Sequence, residues 1–200
     1  MPSIFVIGLA LALIVTTFLL LIFMPTPNCF FSMDKISYQF SYLTRKEQFE
    51  KIKNTLDITK YDIDNRQMLY ENGMPTEIAE NYVEVYDMLR TLPNVERAFF
   101  QSVDKKTTDL EKRKGSAHYA NNTIRCVLPI ILPALRKTSI WVDGESKFFN
   151  EGEWLFYDDS RDSVVCNKHK RNNLHLLVVD IIRPNDIPQG IATKIHTTLF

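Results

Sequence analysis

The sequence predicts an α+β protein in which a long apolar helix and two amphipathic helices precede a half rich in β-strands. Three observations support this: an uncharged apolar run over Ile4–Met24, helical spacing of apolar residues between residues 43 and 93, and short β-branched and aromatic segments from Val95 onward. Helices followed by a run of strands is the order of an α+β fold. With hydrophobic residues at 45% of 200, the chain can bury a substantial core.

The apolar run Ile4–Met24 contains 21 residues without a charge. A helix of that length spans about 30 Å, the thickness of a bilayer core. The alternative is a cleaved signal peptide, but no Lys or Arg precedes the run and no cleavage motif follows it. We therefore predict a retained single-pass membrane anchor and juxtamembrane linker over residues 1–33. The nearest flanking cation is Lys35, so the side of the membrane that the body faces stays open.

A first amphipathic helix is predicted in the segment LTRKEQFEKIKNTLDI. Phe49, Ile52 and Leu56 recur at helical spacing with charged residues between them. Thr44 is the predicted N-cap, and Glu47 three residues later completes a capping box. This helix should cover one face of a sheet.

A second amphipathic helix is predicted over residues 75–93, with Thr76 as its N-cap and an end at Leu92, before a proline. The preceding segment YENGMP reads as a loop. Residues 34–93 are thus predicted to form a helical region that packs on the strands.

The C-terminal region, residues 94–200, is predicted to form an all-β sandwich or barrel, because short strands separated by turn signals recur along it. The predicted strands are VERAFFQSV, TIRCVLPIIL, SIWVDGE, EWLFYDD, DSVVCN and NLHLLVVDII.

Composition restricts the partners. The formal net charge is zero, which argues against a nucleic-acid partner. The three cysteines, Cys29, Cys126 and Cys166, show no disulfide framework and do not demand an oxidising compartment. Asn121 begins a glycosylation sequon that matters only if the body is lumenal. A membrane and a protein or peptide are the partners that remain.

Two segments, EGEWLFYDDS and VVDIIRPNDIP, resemble the C-terminal part of the aspartyl/asparaginyl β-hydroxylases. The resemblance rests on Glu151-Gly152, Asp158-Asp159-Ser160 and Asp180…Pro184, and extends over Leu89–Pro188. It implies a double-stranded β-helix, or jelly-roll, that in the family binds Fe(II) and 2-oxoglutarate. Function must still be argued from the site residues.

The resemblance assigns four site positions. His118 falls where the family has its first iron ligand, but the second ligand position holds Ser163, whose hydroxyl is a poor Fe(II) ligand. Arg125 matches a cosubstrate arginine. The arginine that clamps the distal carboxylate is replaced by His175, which cannot supply a permanent bidentate cation.

These losses predict a membrane-anchored, catalytically degenerate member of the family that acts as a binding or scaffolding module, with no cofactor expected. One alternative is an active Fe(II)/2-oxoglutarate-dependent dioxygenase that hydroxylates Asp or Asn side chains of a protein, or a lipid acyl chain. A third reading is an anchored structural protein that shares only the architecture.

Overall fold

Two antiparallel β-sheets packed face to face form the body of the chain. They are seen in a computed structural model that describes residues 8, 13–16, 29–32, 36, 46–55, 67–106, 122–185 and 187. In chain order the elements are β1 (Phe30–Phe31), α1 (Lys46–Thr55), β2 (Gln67–Glu71), β3 (Met74–Pro75), a 3-10 turn (Ala79–Asn81), α2 (Val83–Thr91), β4 (Val95–Val103), β5 (Thr123–Ile131), β6 (Thr138–Val142), β7 (Glu145–Phe148), β8 (Leu155–Tyr157), β9 (Ser163–Asn167) and β10 (Leu174–Ile182).

The larger sheet has seven strands in the order β1-β8-β5-β10-β4-β2-β3, and the smaller has three in the order β7-β6-β9. All of the described strand pairs are antiparallel. The last strand, β10, lies at the centre of the larger sheet, between β5 and β4. This mostly β, jelly-roll arrangement with few helices is the fold that the resemblance implied.

Side-chain alternation along β10 divides the interior into two cores. Leu177 and Val179 point to the face that the helices cover, whereas Leu176 and Val178 point toward the smaller sheet. The apolar run of this strand is thus buried on both faces.

Both helices cover the outer face of the larger sheet, as predicted. Phe49 and Ile52 of α1 and Val85 and Leu89 of α2 belong to the same buried cluster as the outward-facing residues of β10. The predicted capping residue of α1, Thr44, lies outside the described residues.

The region between α1 and β4 differs from the prediction in two ways. Thr76 does not cap α2, because its hydroxyl donates to the carbonyl oxygen of Met68 at 2.7 Å, and a 3-10 turn precedes the helix. The predicted loop before it is a β-hairpin that joins β2 to β3. Asn72 and Gly73 occupy its turn with φ of 52° and 76°, the conformation for which an Asn-Gly pair is favoured.

The predicted linker contributes to the fold at its end. Phe30 and Phe31 form β1, which pairs with β8, and the Cys29 carbonyl accepts a hydrogen bond from the Asp158 backbone at 3.1 Å. The sheet therefore includes residues on the N-terminal side of the predicted boundary at residue 33. The predicted anchor Ile4–Met24 lies largely outside the described residues. Among the described residues, no helix is long and apolar enough to cross a membrane.

Candidate functional site

Arg125 and Asp180 form the centre of the site region, on the face of the larger sheet that points toward the smaller one. They are direct partners in the pairing of β5 with β10. Arg125 donates from Nε to Asp180 Oδ1 at 2.7 Å and from Nη2 to Asp180 Oδ2 at 2.8 Å. Their side chains are 2% and 0% exposed, so this is a buried bidentate ion pair.

Two further charges complete the network around this pair. Arg125 Nη1 lies 2.7 Å from Asp159 Oδ1, in the loop after β8, and Arg97 of β4 donates to Asp180. Two arginines therefore face two carboxylates, and their charges balance. Burial alone would lower the pKa of Arg125, but its acidic neighbours, Asp180 first, outweigh burial and raise that pKa above its usual value. The guanidinium is permanently charged and all of its nitrogens face this chain's own carboxylates.

Asp159 titrates differently from an ordinary carboxyl group. Burial raises its pKa to about 7, with a further contribution from the like charge of Asp180, although Arg125 and Arg97 oppose the shift. Burial also raises the pKa of the adjacent Tyr157 to about 12, so its hydroxyl stays protonated at neutral pH. The network therefore contains one carboxyl group that can exchange a proton near neutrality.

Asp158, the other carboxylate of this rim, has a structural role. Its Oδ1 accepts hydrogen bonds from the backbone amide and hydroxyl of Ser160, at 3.0 and 2.6 Å, and from Arg183 at 2.8 Å. These contacts close the turn after β8 and join it to the end of β10. Asp158, like Asp159 and Asp180, thus contacts neighbouring groups of the fold.

Glu151 and Gly152 connect the site loop to α1. Gly152 has a φ of 75°, and a Cβ there would lie 3.3 Å from the ring of Phe49. The carboxylate of Glu151 pairs with Lys53 of the same helix. A glycine is required here because the turn reverses directly beneath an aromatic ring.

Ser163, at the predicted second iron ligand position, begins β9 opposite Val142 of β6. It is 5% exposed and hydrogen-bonds with Tyr157. Within the described ranges, no three His, Cys, Asp or Glu side chains are grouped as a metal site would require. His118, the predicted first ligand, lies outside the described residues.

His175 is not brought together with Arg125. It lies five residues from Asp180 along β10, about 17 Å at the rise of a strand. By strand alternation its side chain points to the helix-covered face, and the inward-pointing residue at that end of the strand is Leu174. The two residues therefore lie on different faces of the sheet, and the inner position at this end of β10 holds an apolar side chain.

The space between the two sheets is filled by apolar side chains. This core contains residues that are 5% exposed or less, and they come from five of the strands, from Cys29 before β1 and from the segment after β7. They include Phe99, Val127, Ile140, Val142, Phe149, Leu174, Leu176 and Val178. Apart from the Arg125 network, the described inner face offers neither metal ligands nor a free cation. The described residues do not fit an Fe(II) and 2-oxoglutarate site.

Arg97 and Arg183 are two charged residues of this region that the sequence pattern did not single out. Arg97 lies directly before the apolar run Ala98–Phe100 of β4, and Arg183 follows directly on β10. A charge inside or beside a strand with an apolar pattern is a signal for a buried ion pair, because an unpaired charge there would cost too much free energy. That signal could have identified both residues, but not their partners.

Several solved structures are similar to this chain. Similar solved structures include a nickel complex of the non-heme monooxygenase ThoJ, with 8% identity, a TM-score of 0.43, and coverage of 79% of this chain and 75% of that one. A prolyl-4-hydroxylase from Pseudomonas putida has 10% identity and a TM-score of 0.38, covering 60% of this chain and 72% of that one. A cupin protein from Bacteroides fragilis has 11% identity and a TM-score of 0.37, covering 61% and 80%.

In sequence, no curated protein matches the chain significantly. The family model described as aspartyl/asparaginyl beta-hydroxylase matches residues 31–184, which is more than three quarters of the chain and includes every described strand except the first residue of β1. The chain therefore belongs to the aspartyl/asparaginyl beta-hydroxylase family.

Proposed function

We propose that this chain is a membrane-anchored, catalytically degenerate member of its family that serves as a binding or scaffolding module. The observation that carries the proposal is the state of Arg125. All three of its guanidinium nitrogens face Asp180 or Asp159 at 2.7–2.8 Å, so a cosubstrate carboxylate would have to compete with these two carboxyl groups. A cosubstrate would have to displace buried carboxylates that are already hydrogen-bonded, at a large cost in free energy.

Two other positions support the same proposal. Ser163 replaces a nitrogen ligand with a hydroxyl that is buried against Tyr157. At the start of β10, the inward-pointing residue is the fully buried Leu174, where a cationic clamp would be needed. The domain keeps the sheets and turns of the family without the polar interior that oxygenase chemistry needs.

The test is succinate formation from 2-oxoglutarate by the purified full-length chain, supplied anaerobically with Fe(II) and then exposed to oxygen. We expect no succinate above a no-protein blank, while an active 2-oxoglutarate oxygenase in the same buffer serves as a positive control. His118→Ala should leave the result unchanged. Succinate formation by the wild type that His118→Ala abolishes would overturn the proposal in favour of the active dioxygenase.

A metal count is a second test against the active dioxygenase. After anaerobic Fe(II) loading and desalting, a degenerate domain should retain far less than one iron per chain. Near-stoichiometric iron would contradict the proposal. If Ser163→Ala kept that iron and His118→Ala lost it, the iron site would include His118 but not Ser163.

A further inference from the structure

A groove of about 580 Å³ lies at the outer edge of the larger sheet, and none of the Arg125 network residues lines it. It is bounded by the β2–β3 hairpin, the C-terminal half of α2 and the start of β4. Its volume is in the range of pockets that bind small molecules. The proposed function does not involve this groove.

Local structure turns two tyrosines and an arginine into the groove. In the pairing of β2 with β4, Met68 lies opposite Phe99 and Tyr70 opposite Ala98, so Leu69 is an extra, bulged residue. The bulge brings Tyr70 to the helix-covered face. On α2, Tyr86 and Arg90 are four residues apart and therefore share one side of the helix.

The side chains of Tyr70, Tyr86 and Arg90 are close together. The two rings have centroids 6.4 Å apart, and the Arg90 guanidinium carbon lies 5.6 Å from the Tyr86 centroid. Burial is the main cause of the raised pKa of Tyr70, with Tyr86 adding to it and Arg90 opposing it. The Tyr70 hydroxyl is thus a protonated donor at neutral pH, close enough to Arg90 to sense its charge.

These donors have no acceptor among the residues that the structure describes. Arg90 contacts the Tyr86 ring but forms no ion pair there, and neither tyrosine hydroxyl has a hydrogen-bond partner in those ranges. A guanidinium and two phenolic side chains that line one groove suit a carboxylate. Beside them, the accessible apolar lining of the groove is formed by Pro75 and by Ile182, which is 49% exposed.

We propose that this groove binds a small organic acid that carries one carboxylate on an apolar or aromatic body. The carboxylate is held by Arg90 and the Tyr70 hydroxyl, and the body packs on Pro75 and Ile182. Glu96 also lines the groove, and its negative charge disfavours ligands with a second carboxylate. The site is independent of iron and of the Arg125 network. Its test can therefore fail while the proposed function still holds, and the reverse is also true.

The test uses 3-phenylpropionate as the probe and its uncharged amide as the matched control, with binding to the full-length chain measured by ligand-observed NMR and calorimetry. We expect saturable binding of the acid, at least tenfold weaker binding of the amide, and weaker binding of succinate because of Glu96. Acetate should bind more weakly than the acid, because it lacks the apolar body. Equal affinities of the acid and the amide would overturn the proposal.

Three variants assign the contacts. Arg90→Gln should weaken binding of the acid at least tenfold, and Tyr70→Phe should weaken it severalfold while keeping the buried ring. Arg136→Gln, which removes an exposed arginine outside the groove, should leave affinity unchanged. Thermal unfolding of each variant shows that the fold is kept. Binding that survives Arg90→Gln at wild-type affinity, or that Arg136→Gln weakens as much, would place the acid elsewhere.

Discussion

Arg125 and Asp180 lie directly opposite each other on β5 and β10, and both oxygens of the carboxylate accept hydrogen bonds from the guanidinium, at 2.7 and 2.8 Å. The position that the family resemblance assigned to a cosubstrate contact is therefore satisfied within the chain itself. In a buried pair of this kind, each charge compensates the desolvation of the other. The pair consequently matters more for folding than for ligand binding.

Breaking this pair should destabilise the fold strongly. Arg125→Met leaves Asp180 and Asp159 buried with only Arg97 to neutralise them, and the loss of one partner of a buried pair costs about 3–5 kcal/mol. The measurement is the free energy of unfolding in urea, for a chain that begins at Pro25, followed by circular dichroism.

The control for this experiment is the Lys53–Glu151 pair, whose side chains are 34% and 41% exposed. Lys53→Met should change the free energy of unfolding by less than about 1 kcal/mol, because water screens an exposed pair. Equal costs for Arg125→Met and Lys53→Met would show that the buried network contributes little.

The pH dependence of stability should report Asp159. Its pKa rises from about 3.9 in an unfolded chain to about 7 in the fold, so the folded state binds this proton more tightly. The resulting stabilisation is fully present below pH 4 and is lost as pH rises through 7. Relative to Asp159→Asn, which cannot ionise, the wild type should therefore lose stability between pH 5 and 8.

The readout is the urea midpoint of each chain at four pH values across that range. The exposed Asp87→Asn serves as a control and should follow the wild type. If the Asp159→Asn and wild-type midpoints run parallel over the whole range, the carboxyl group titrates as it does in water.

The strand half of the fold could be predicted from the sequence because its strands are long and its turns well marked. VERAFFQSV coincides with β4, and the predicted bounds of β5 and β10 agree within one residue. Short elements were missed, since the two residues of β1 and of β3 are too few to show a pattern. The Asn72-Gly73 pair did carry a hairpin signal, and the prediction of a loop there overlooked it.

The site could be predicted less well, for a reason visible in β10. The run LHLLVVDII is apolar on both faces, so its pattern does not say whether position 174 or 175 points inward. A resemblance aligns the strand with the family only approximately. An error of one residue in that alignment assigns every side chain of the strand to the opposite face. Likewise, the sequence showed Arg125 but not the two carboxylates that neutralise it.

Glycine 152 offers a test of how the Glu-Gly turn supports the fold. Gly152→Ala adds strain at a φ of 75° and brings a Cβ within 3.3 Å of the Phe49 ring, so we expect a loss of about 1–3 kcal/mol in stability. Gly144→Ala is the matched control, because its φ is 100° but nothing lies within 4 Å of the added Cβ. A smaller loss for Gly144→Ala would isolate the packing contribution, whereas equal losses would assign the effect to backbone strain alone.

Restoring single family residues should not restore chemistry. Ser163→His places a large side chain in a site that is 5% exposed and removes the contact with Tyr157, and overpacking of this kind costs about 1–3 kcal/mol. His175→Arg should be tolerated, because the residue is only partly buried and points away from the inter-sheet core. We expect neither variant, nor the two combined, to form succinate or to gain thermal stability with 2-oxoglutarate. A rise in melting temperature with 2-oxoglutarate that requires His175→Arg would show that this residue faces the site after all.

The membrane anchor, proposed from the uncharged run Ile4–Met24, should hold the full-length chain in the membrane pellet through a carbonate wash. A chain that begins at Pro25 should be released, since it lacks the run but keeps the whole described body. Release of the full-length chain by carbonate would contradict the anchor.

The starting point of the shortened chain matters, because β1 belongs to the sheet. A chain that begins at Asp34 loses Cys29 and Phe30, which are 5% and 6% exposed, together with the pairing of β1 with β8. It also loses the carbonyl oxygen that accepts the Asp158 amide, next to the Asp158–Arg183 pair. We therefore expect a clearly lower melting temperature than for the chain that begins at Pro25. Identical melting temperatures would mean that β1 adds no stability to the sheet, and that the folded unit begins after residue 33.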